Sequence, residues 1–217
     1  MKKSGDNKLA PSLASGIFQI ASLPESRRLL HLIREQNVKT LAIQSQFGGE
    51  GKTFLAALLA EGAFRFIDLR VLVIDAVSSF LEDTFFKGRP PTPPGKSGID
   101  VVVAKALDKG ALLPTTLGAE MHPEKDTDPP SPSDFNLCAY IRSVRDTYDL
   151  ILIDCPPYDS IRPHDLHPAI IARHSDSSLI VTSPRSLKQS ALVSLKALIT
   201  HYNLVPLGMV FNGGGSS

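Results

Sequence analysis

The sequence predicts an α/β fold in which a mostly parallel β-sheet carries helices on both faces. From about residue 23 onward, strand-length apolar segments alternate with segments of helical periodicity. Two of these strands, 70–75 and 150–154, are mostly aliphatic and end in Asp75 and Asp154, a pattern typical of strands buried on both sides. A third apolar segment leads into a glycine-rich turn that is followed directly by a helical segment.

The composition is that of an ordinary globular protein with one core. The chain has 217 residues, of which 42% are hydrophobic and 21% are charged. We expect a flexible lead-in over residues 1–22 and a single domain over residues 23–217. The formal net charge of +1 gives no overall field that attracts nucleic acid or an anionic membrane, so we expect no direct nucleic-acid partner.

We expect neither a signal peptide nor a membrane-spanning helix, because the longest apolar stretches have strand length or are interrupted by charge. The expected location is the cytoplasm, including the inner face of the membrane where a partner holds the chain there. Cys138 and Cys155 do not fit the C-x-x-C spacing of metal or redox sites. We interpret both as small buried apolar residues in a reducing compartment.

The first predicted element is an amphipathic helix that begins at Pro24. Proline suits the first position of a helix, and Ser22 is close enough to help cap it. The apolar face of this helix comprises Leu29, Leu30, Leu32 and Ile33. We expect that face to pack on the sheet.

A short apolar strand then enters the sequence T-L-A-I-Q-S-Q-F-G-G-E-G-K-T, residues 40–53. Its glycines permit positive φ angles, so that backbone N–H groups can point at phosphate oxygens. The helix predicted from about Lys52 directs the positive end of its dipole at the same anion. A solvent-facing Lys52 can reach the β- and γ-phosphates, and the Thr53 hydroxyl can bind Mg²⁺.

This turn is therefore predicted to be a P-loop that binds ATP or ADP with Mg²⁺. The expected nucleotide contacts are Phe47, Gly48, Gly49, Glu50, Gly51, Lys52, Thr53 and Phe54. One position departs from the general pattern G-x-x-x-x-G-K-[ST], which has glycine where this chain has Gln46. The alternative is an ordinary glycine-rich turn with a coincidental Lys-Thr pair.

Two carboxylates at strand ends complete the predicted site. Asp75 can order water around Mg²⁺ or activate a nucleophile, although an aspartate in this position can also cap a helix. Asp154 is placed to hold Mg²⁺ through water. We therefore expect Lys52 and Asp75 to be catalytic, and Thr53, Asp75 and Asp154 to form the metal site.

Segments rich in proline and glycine, 88–98 and 123–133, are predicted to be surface loops. Between them we expect a short helix at 99–109 and a short strand at 119–122. A helix capped by Ser133 follows, and its apolar residues are Phe135, Leu137, Ala139, Ile141 and Val144.

The chain is predicted to end with a strand at 178–182, a helix, and a strand at 207–211. The apolar face of that helix comprises Leu187, Ala191, Leu192, Leu195, Leu198 and Ile199. The six histidines show no metal-binding spacing apart from a loose pair, His164 and His167, and we interpret them as surface groups.

Three motifs together resemble those of the bacterial tyrosine kinases of capsule and exopolysaccharide systems, which belong with the ParA/MinD proteins to the deviant-Walker P-loop ATPases. G-G-E-G-K-T is similar to their Walker A motif, V-L-V-I-D-A to Walker A′, and Y-D-L-I-L-I-D-C-P-P to Walker B. L-G-M-V-F-N resembles the last strand of the family, which implies that Asn212 lies near the adenine. The resemblance covers about residues 23–212 and implies a P-loop NTPase fold.

The same resemblance implies partners. The first helix is similar to the E-x-x-R-x-x-R self-association motif of these kinases through Glu25, Arg28 and His31, with histidine in place of the second arginine. It therefore implies a homo-oligomer. Because such kinases work with a membrane polysaccharide co-polymerase, a separate partner of that kind is also implied.

The chain departs from the family pattern at three points. The family has Asp-x-Asp in Walker A′, whereas Val77 stands here at the second aspartate. Phe47 replaces the signature lysine of the ParA/MinD proteins. The sequence shows no tyrosine cluster at its C-terminal end, and its tyrosines are Tyr140, Tyr148, Tyr158 and Tyr202.

Three functions stay open at this point. The first is ATP-dependent phosphoryl transfer, as an ATPase or a tyrosine-kinase-like component of exopolysaccharide or capsule biosynthesis and export. The second is a nucleotide-binding regulatory module with little turnover, assembled on the polysaccharide co-polymerase. The third is a positioning ATPase of the ParA/MinD type. Because one carboxylate is missing, we expect slow ATPase activity and weak or no autophosphorylation on tyrosine.

Overall fold

The computed structural model describes residues 23–77, 81–104, 137–160, 167–184 and 189–213. The helices are α1 (Pro24–Glu35), α2 (Lys52–Ile67), α3 (Leu137–Val144), α4 (Pro168–Arg173) and α5 (Gln189–His201). The strands are β1 (Thr40–Ser45), β2 (Arg70–Asp75), β3 (Gly98–Val103), β4 (Leu150–Asp154), β5 (Ser177–Thr182) and β6 (Pro206–Phe211). A π-helical turn, Glu82–Phe86, and a 3₁₀ turn, Tyr158–Ser160, lie between them.

Several predicted features fall outside these ranges. They are the lead-in at 1–22 with Ser22, the end of the helix predicted at 99–109, the strand at 119–122, the loop at 123–133, and the residues Ser133, Phe135, His164 and Leu187.

The strands that the structure describes form one parallel sheet, in the order β3-β2-β4-β1-β5-β6. The predicted fold class is therefore confirmed. In this register Asp75 at the end of β2 lies opposite Asp154 at the end of β4, which in turn is opposite Ile43 of β1. The parallel register thus brings the carboxyl ends of β1, β2 and β4 together at one end of the strands.

Helices cover both faces of the sheet, as predicted. On one face, α1 and α2 pack against the strands through residues such as Leu30, Ile33 and Leu59. On the other face, α3 and α4 bury Ile141 and Ile171 against the opposite side of the same strands. Each fully buried aliphatic side chain stabilises the fold by about 1.5–3 kcal/mol, so these two layers hold the edge of the sheet in a fixed geometry.

Helix α1 begins at Pro24, as the sequence predicts. The residue at its N-cap is Leu23, which makes no capping hydrogen bond. Pro24 has no N–H, so the first turn has one fewer group that a cap would satisfy. The burial of Leu30 and Ile33 holds the helix against the sheet.

The helix predicted at 99–109 is wrong over residues 99–103. Residues 98–103 form strand β3, which pairs with β2 at the edge of the sheet. The β-branched residues of I-D-V-V-V favour a strand. Asp100 lies within it, buried, and accepts hydrogen bonds from the Tyr148 hydroxyl at 2.9 Å and from the Thr92 N–H at 2.8 Å.

Smaller corrections concern the second layer of helices. Helix α4 was not predicted, because its six residues are too few to show periodicity. In α3, Ala139 is exposed and Tyr140 is buried instead, and Leu192 of α5 is also exposed. Cys155 is buried as predicted, whereas Cys138 is only half-buried.

Asp176 joins three elements at the amino end of the sheet. Its carboxylate accepts hydrogen bonds from the N–H groups of Lys39 and Thr40, each at 2.9 Å, and from the Arg145 guanidinium at 2.8 and 2.9 Å. Burial acts to raise the pKa of Asp176, but the hydrogen bonds from Arg145 and from the two backbone groups outweigh it and leave the pKa below its usual value. The charged form therefore stabilises the start of β1.

We expect Asp176→Asn to lower the free energy of unfolding by about 1 kcal/mol at pH 7, a low value for charged hydrogen bonds because the side chain is 30% exposed. Since the pKa is lower in the folded than in the unfolded state, this contribution is present above pH about 4 and is lost as the pH falls through the folded value. Urea unfolding at pH 7 and pH 3 measures it, with the exposed Asp146→Asn as control. An equal loss at both pH values would contradict the assignment.

Candidate functional site

The glycine-rich turn lies at the carboxyl end of β1 and opens helix α2. Gly49 and Gly51 have φ angles of 78° and 96°, in the region that favours glycine. Gly51 is also the N-cap of α2, and a Cβ atom there would lie 2.6 Å from Asn212 Nδ2. The prediction that α2 begins at Lys52 is confirmed. The turn and the first N–H groups of α2 thus form a concave backbone surface that suits an anion.

Lys52 is buried, which corrects the expectation that it faces solvent. Its side chain is only 6% exposed, and its Nζ donates to Ser45 Oγ at 2.7 Å. The Ser45 hydroxyl in turn donates to the Phe47 carbonyl at 2.7 Å, so it fixes the lysine and the turn together. Burial lowers the pKa of Lys52, and nearby Asp154 and Glu50 oppose that shift. Lys52 therefore lies close to two carboxylates of the site.

Thr53 and Asp154 meet beside this lysine. The Thr53 hydroxyl donates to Asp154 Oδ2 at 2.6 Å. Asp154 is 1% exposed, and burial raises its pKa to about 6, although the Thr53 hydroxyl and the Lys52 ammonium act in the opposite direction. Its second oxygen, Oδ1, is buried and has no hydrogen-bond partner within the part of the chain that the structure describes.

The unpaired Asp154 oxygen is the observation that tests whether Mg²⁺ fits here. A buried carboxylate oxygen without a partner costs free energy unless a ligand or a water satisfies it. Mg²⁺ prefers oxygen ligands and keeps several waters, and it is commonly bound by one or two protein groups together with phosphate oxygens. Thr53 and Asp154 match that donor set. Among the described residues, no group of three or more His, Cys, Asp or Glu side chains could hold a metal ion by itself.

Asp75 lies next to Asp154 in the sheet register, but its carboxylate contacts the backbone. Its Oδ1 accepts from the Val77 N–H at 2.9 Å and its Oδ2 from the Leu81 N–H at 3.2 Å. It is 1% exposed, and its charge contributes to the raised pKa of Asp154. Asp75 therefore binds the N–H groups of Val77 and Leu81, which is the kind of contact that a capping aspartate makes. A role as base would require it to exchange at least one of these contacts.

Glu50 and Asn212, both predicted nucleotide contacts, lie at the turn in a way that the sequence did not predict. The Glu50 side chain is 2% exposed and accepts from the Phe47 N–H at 2.9 Å and from Ser183, which follows β5. Asn212 Nδ2 donates to the Glu50 carbonyl at 3.0 Å. Both side chains hold the turn in place, and Ser45 and Ser183 are site residues that no motif indicated.

The remaining predicted residues lie at the rim or away from the site. Phe54 is 37% exposed and makes an edge-to-face contact with Phe85, with ring centroids 6.4 Å apart. Gly48 is exposed. His167 is the N-cap residue of α4, where its Nδ1 accepts from the Ala169 N–H, and burial lowers its pKa.

No protein-family model and no curated protein sequence matches the chain. Solved structures do match it. The kinase domain of the Escherichia coli tyrosine kinase ETK has a TM-score of 0.57 at 20% identity and covers 100% of this chain and 85% of its own. The VpsO kinase domain has a TM-score of 0.59 at 16% identity and covers 95% and 96%. The septum site-determining protein MinD from Pyrococcus horikoshii OT3, complexed with Mg-ADP, has a TM-score of 0.53 at 20% identity and covers 82% and 72%.

Structural similarity at these low sequence identities shows that the fold is shared. The chain has the P-loop NTPase fold that bacterial tyrosine kinase domains share with MinD-type ATPases, and the resemblance stated from the motifs is confirmed at that level. None of the helices in the described ranges is long and apolar enough to cross a membrane.

Proposed function

We propose that the chain binds Mg-ATP at the turn 46–53 and carries out slow, ATP-dependent phosphoryl transfer. One observation carries the proposal: the buried Asp154 Oδ1, which has no hydrogen-bond partner among the described residues, belongs to the carboxylate that contacts the Thr53 hydroxyl and lies near the buried Lys52. A P-loop needs these three groups, a cation for the phosphates and two oxygens for the metal. The MinD structure of the same fold, which is complexed with Mg-ADP, supports a magnesium-bound adenine nucleotide as the ligand.

The roles of the residues follow from where they lie. The backbone N–H groups of the turn and of the first turn of α2 bind phosphate oxygens, and Lys52 neutralises their charge. Thr53 and Asp154 hold Mg²⁺, which when bound shields the charge of the phosphates. Asp75, beside Asp154, is the candidate base once it releases a backbone N–H.

Slow turnover is part of the proposal because the second acidic position is Val77. Its side chain can bind neither Mg²⁺ nor a water of the metal, and its N–H holds Asp75 in a capping contact. Two of the tyrosines are poor phosphate acceptors. Tyr148 is 2% exposed and donates to Asp100, and Tyr140 is 8% exposed, with a pKa that burial raises to about 12. Because both side chains are buried, phosphate transfer to either hydroxyl would require local opening of the structure.

We place this activity in exopolysaccharide or capsule biosynthesis and export, next to a membrane polysaccharide co-polymerase. The support is the likeness of the fold to tyrosine kinase domains such as those of ETK and VpsO. A regulatory module that binds nucleotide with little turnover is the second candidate, and the capping contacts of Asp75 favour it. A positioning ATPase of the ParA/MinD type is the third, although Phe47 stands where those proteins have their signature lysine.

We also propose that the chain self-associates through α1. Glu25, Arg28 and His31 are exposed on this helix at i, i+3 and i+6, which places them along one stripe. His31 Nε2 lies 3.1 Å from Glu35 Oε1, so part of its hydrogen-bonding capacity is used within the helix. Charged contacts of this kind weaken with salt.

Lys52→Met should lower the affinity for Mg-ATP by about tenfold or more, because the variant keeps the buried volume but loses a charged hydrogen-bond donor. Isothermal titration calorimetry measures the affinity, and circular dichroism checks the fold. Lys87→Met, at an exposed lysine, is the matched control and should bind like the wild type. Equal ATP affinity in a folded Lys52→Met variant would refute the P-loop assignment.

Val77→Asp should raise the rate of ATP hydrolysis by about tenfold, since second-shell carboxylates commonly contribute that much at metal sites. Steady-state phosphate release by the wild type and the variant is the measurement.

Incubation with labelled ATP should give weak or no labelling of the wild type. Rapid, stoichiometric labelling of any tyrosine in the wild type would show that the missing carboxylate does not limit turnover.

Arg28→Glu should shift the chain toward monomer in sedimentation velocity at low salt with ATP, because it reverses one charge of the α1 stripe. Arg173→Glu, at an exposed arginine on α4, is the control. A wild type that remains monomeric at high concentration and low salt with ATP bound would rule out self-association through this helix.

A further inference from the structure

We infer that Glu50 is a positioning residue that couples the nucleoside end of the bound nucleotide to the phosphate-binding turn. The inference rests on the proposed function, since it concerns how that same site recognises its ligand. It assigns the Glu50 side chain a role different from a direct contact with phosphate.

The Glu50 carboxylate bridges two parts of the site. Its Oε2 accepts from the Phe47 N–H at 2.9 Å, within the turn itself. Its Oε1 accepts from the N–H of Ser183 at 3.1 Å and from the Ser183 hydroxyl at 3.0 Å. A carboxylate that is 2% exposed is stable only where such donors replace water. Glu50 therefore fixes the distance between the turn and the end of β5.

A second contact extends this bridge to β6. Asn212 Nδ2 donates to the Glu50 carbonyl at 3.0 Å, while the Asn212 N–H donates to the Thr182 carbonyl at 2.8 Å. Gly51 leaves the space for this asparagine, since a Cβ there would lie 2.6 Å from Nδ2. The ends of β5 and β6 and the turn thus form one hydrogen-bonded unit around Glu50.

The positions of the metal-binding residues indicate which end of a bound nucleotide lies next to this hydrogen-bonded unit. Thr53, Asp154 and Asp75 place the metal-binding side over β4 and β2, on one side of β1. Ligands of such sheets lie across the carboxyl ends of the strands, so a nucleotide with its terminal phosphates over β4 extends its nucleoside toward β5 and β6. Ser183 and Asn212 are at that end. A nucleoside that contacts either of them would stabilise the position of Glu50 as well, and through it that of the Phe47 N–H.

Glu50 should therefore affect the binding of ATP and of inorganic triphosphate differently. Inorganic triphosphate contacts only the turn, whereas ATP also contacts the β5–β6 end. Glu50→Gln keeps the size of the side chain but replaces one acceptor oxygen with an NH₂ group that faces an N–H donor. We expect this variant to raise the Kd for Mg-ATP about tenfold and the Kd for magnesium triphosphate by less than about twofold.

Isothermal titration calorimetry with both ligands tests the inference. Glu35→Gln, the same change at an exposed glutamate of α1, is the matched control and should leave both Kd values unchanged. Ser183→Ala should weaken Mg-ATP binding in the same selective way. The double variant should be no weaker than Glu50→Gln alone, because both changes break one link.

The outcomes are distinct. Equal weakening of both ligands, or a lower melting temperature with unchanged Kd values, would show that Glu50 only shapes the turn or the fold, and would overturn the inference. A wild type that binds neither Mg-ATP nor magnesium triphosphate would instead refute the proposed function. Selective loss of ATP affinity together with non-additivity would support the coupling.

Discussion

A buried ammonium group at the carboxyl edge of the sheet sets the conditions for the rest of the site. Removing such a charge from water costs several kcal/mol unless hydrogen bonds and opposite charges replace the solvent. Ser45 accepts one hydrogen bond from Lys52, and Asp154 and Glu50 supply negative charge nearby. The glycine turn is closed around the lysine by the same Ser45 hydroxyl. The cation and the buried carboxylates therefore stabilise one another.

The parallel register explains why these groups meet. Strands β1, β2 and β4 end side by side, so residues more than a hundred positions apart, such as Thr53 and Asp154, come within hydrogen-bond distance. The layers of helices on both faces hold those strand ends in place. Val77 follows one of them without adding a charge, so the anionic side of the site rests on fewer groups, which is the physical basis for slow turnover.

The sequence predicts those elements whose signal is local. The start of α2 at Lys52 and the end of β4 at Asp154 are marked by glycines and by a run of aliphatic residues. The sequence predicts a helix where β3 lies, because a short apolar segment between proline-rich stretches fits either period, and only its pairing with β2 makes it a strand. The burial of Lys52 and the contact between Glu50 and Ser183, 133 positions apart, depend on tertiary packing and leave no pattern in the sequence.

The central claim is that the unpaired oxygen of Asp154 marks a site for Mg²⁺ with the phosphates of ATP. Calorimetric titration with ATP, in the presence of Mg²⁺ and of EDTA, tests this claim most directly in the wild type and in Asp154→Asn. The account predicts that Mg²⁺ strengthens ATP binding to the wild type by about tenfold or more and that the variant loses this gain. An equal effect of Mg²⁺ on both proteins, or none on the wild type, would contradict it.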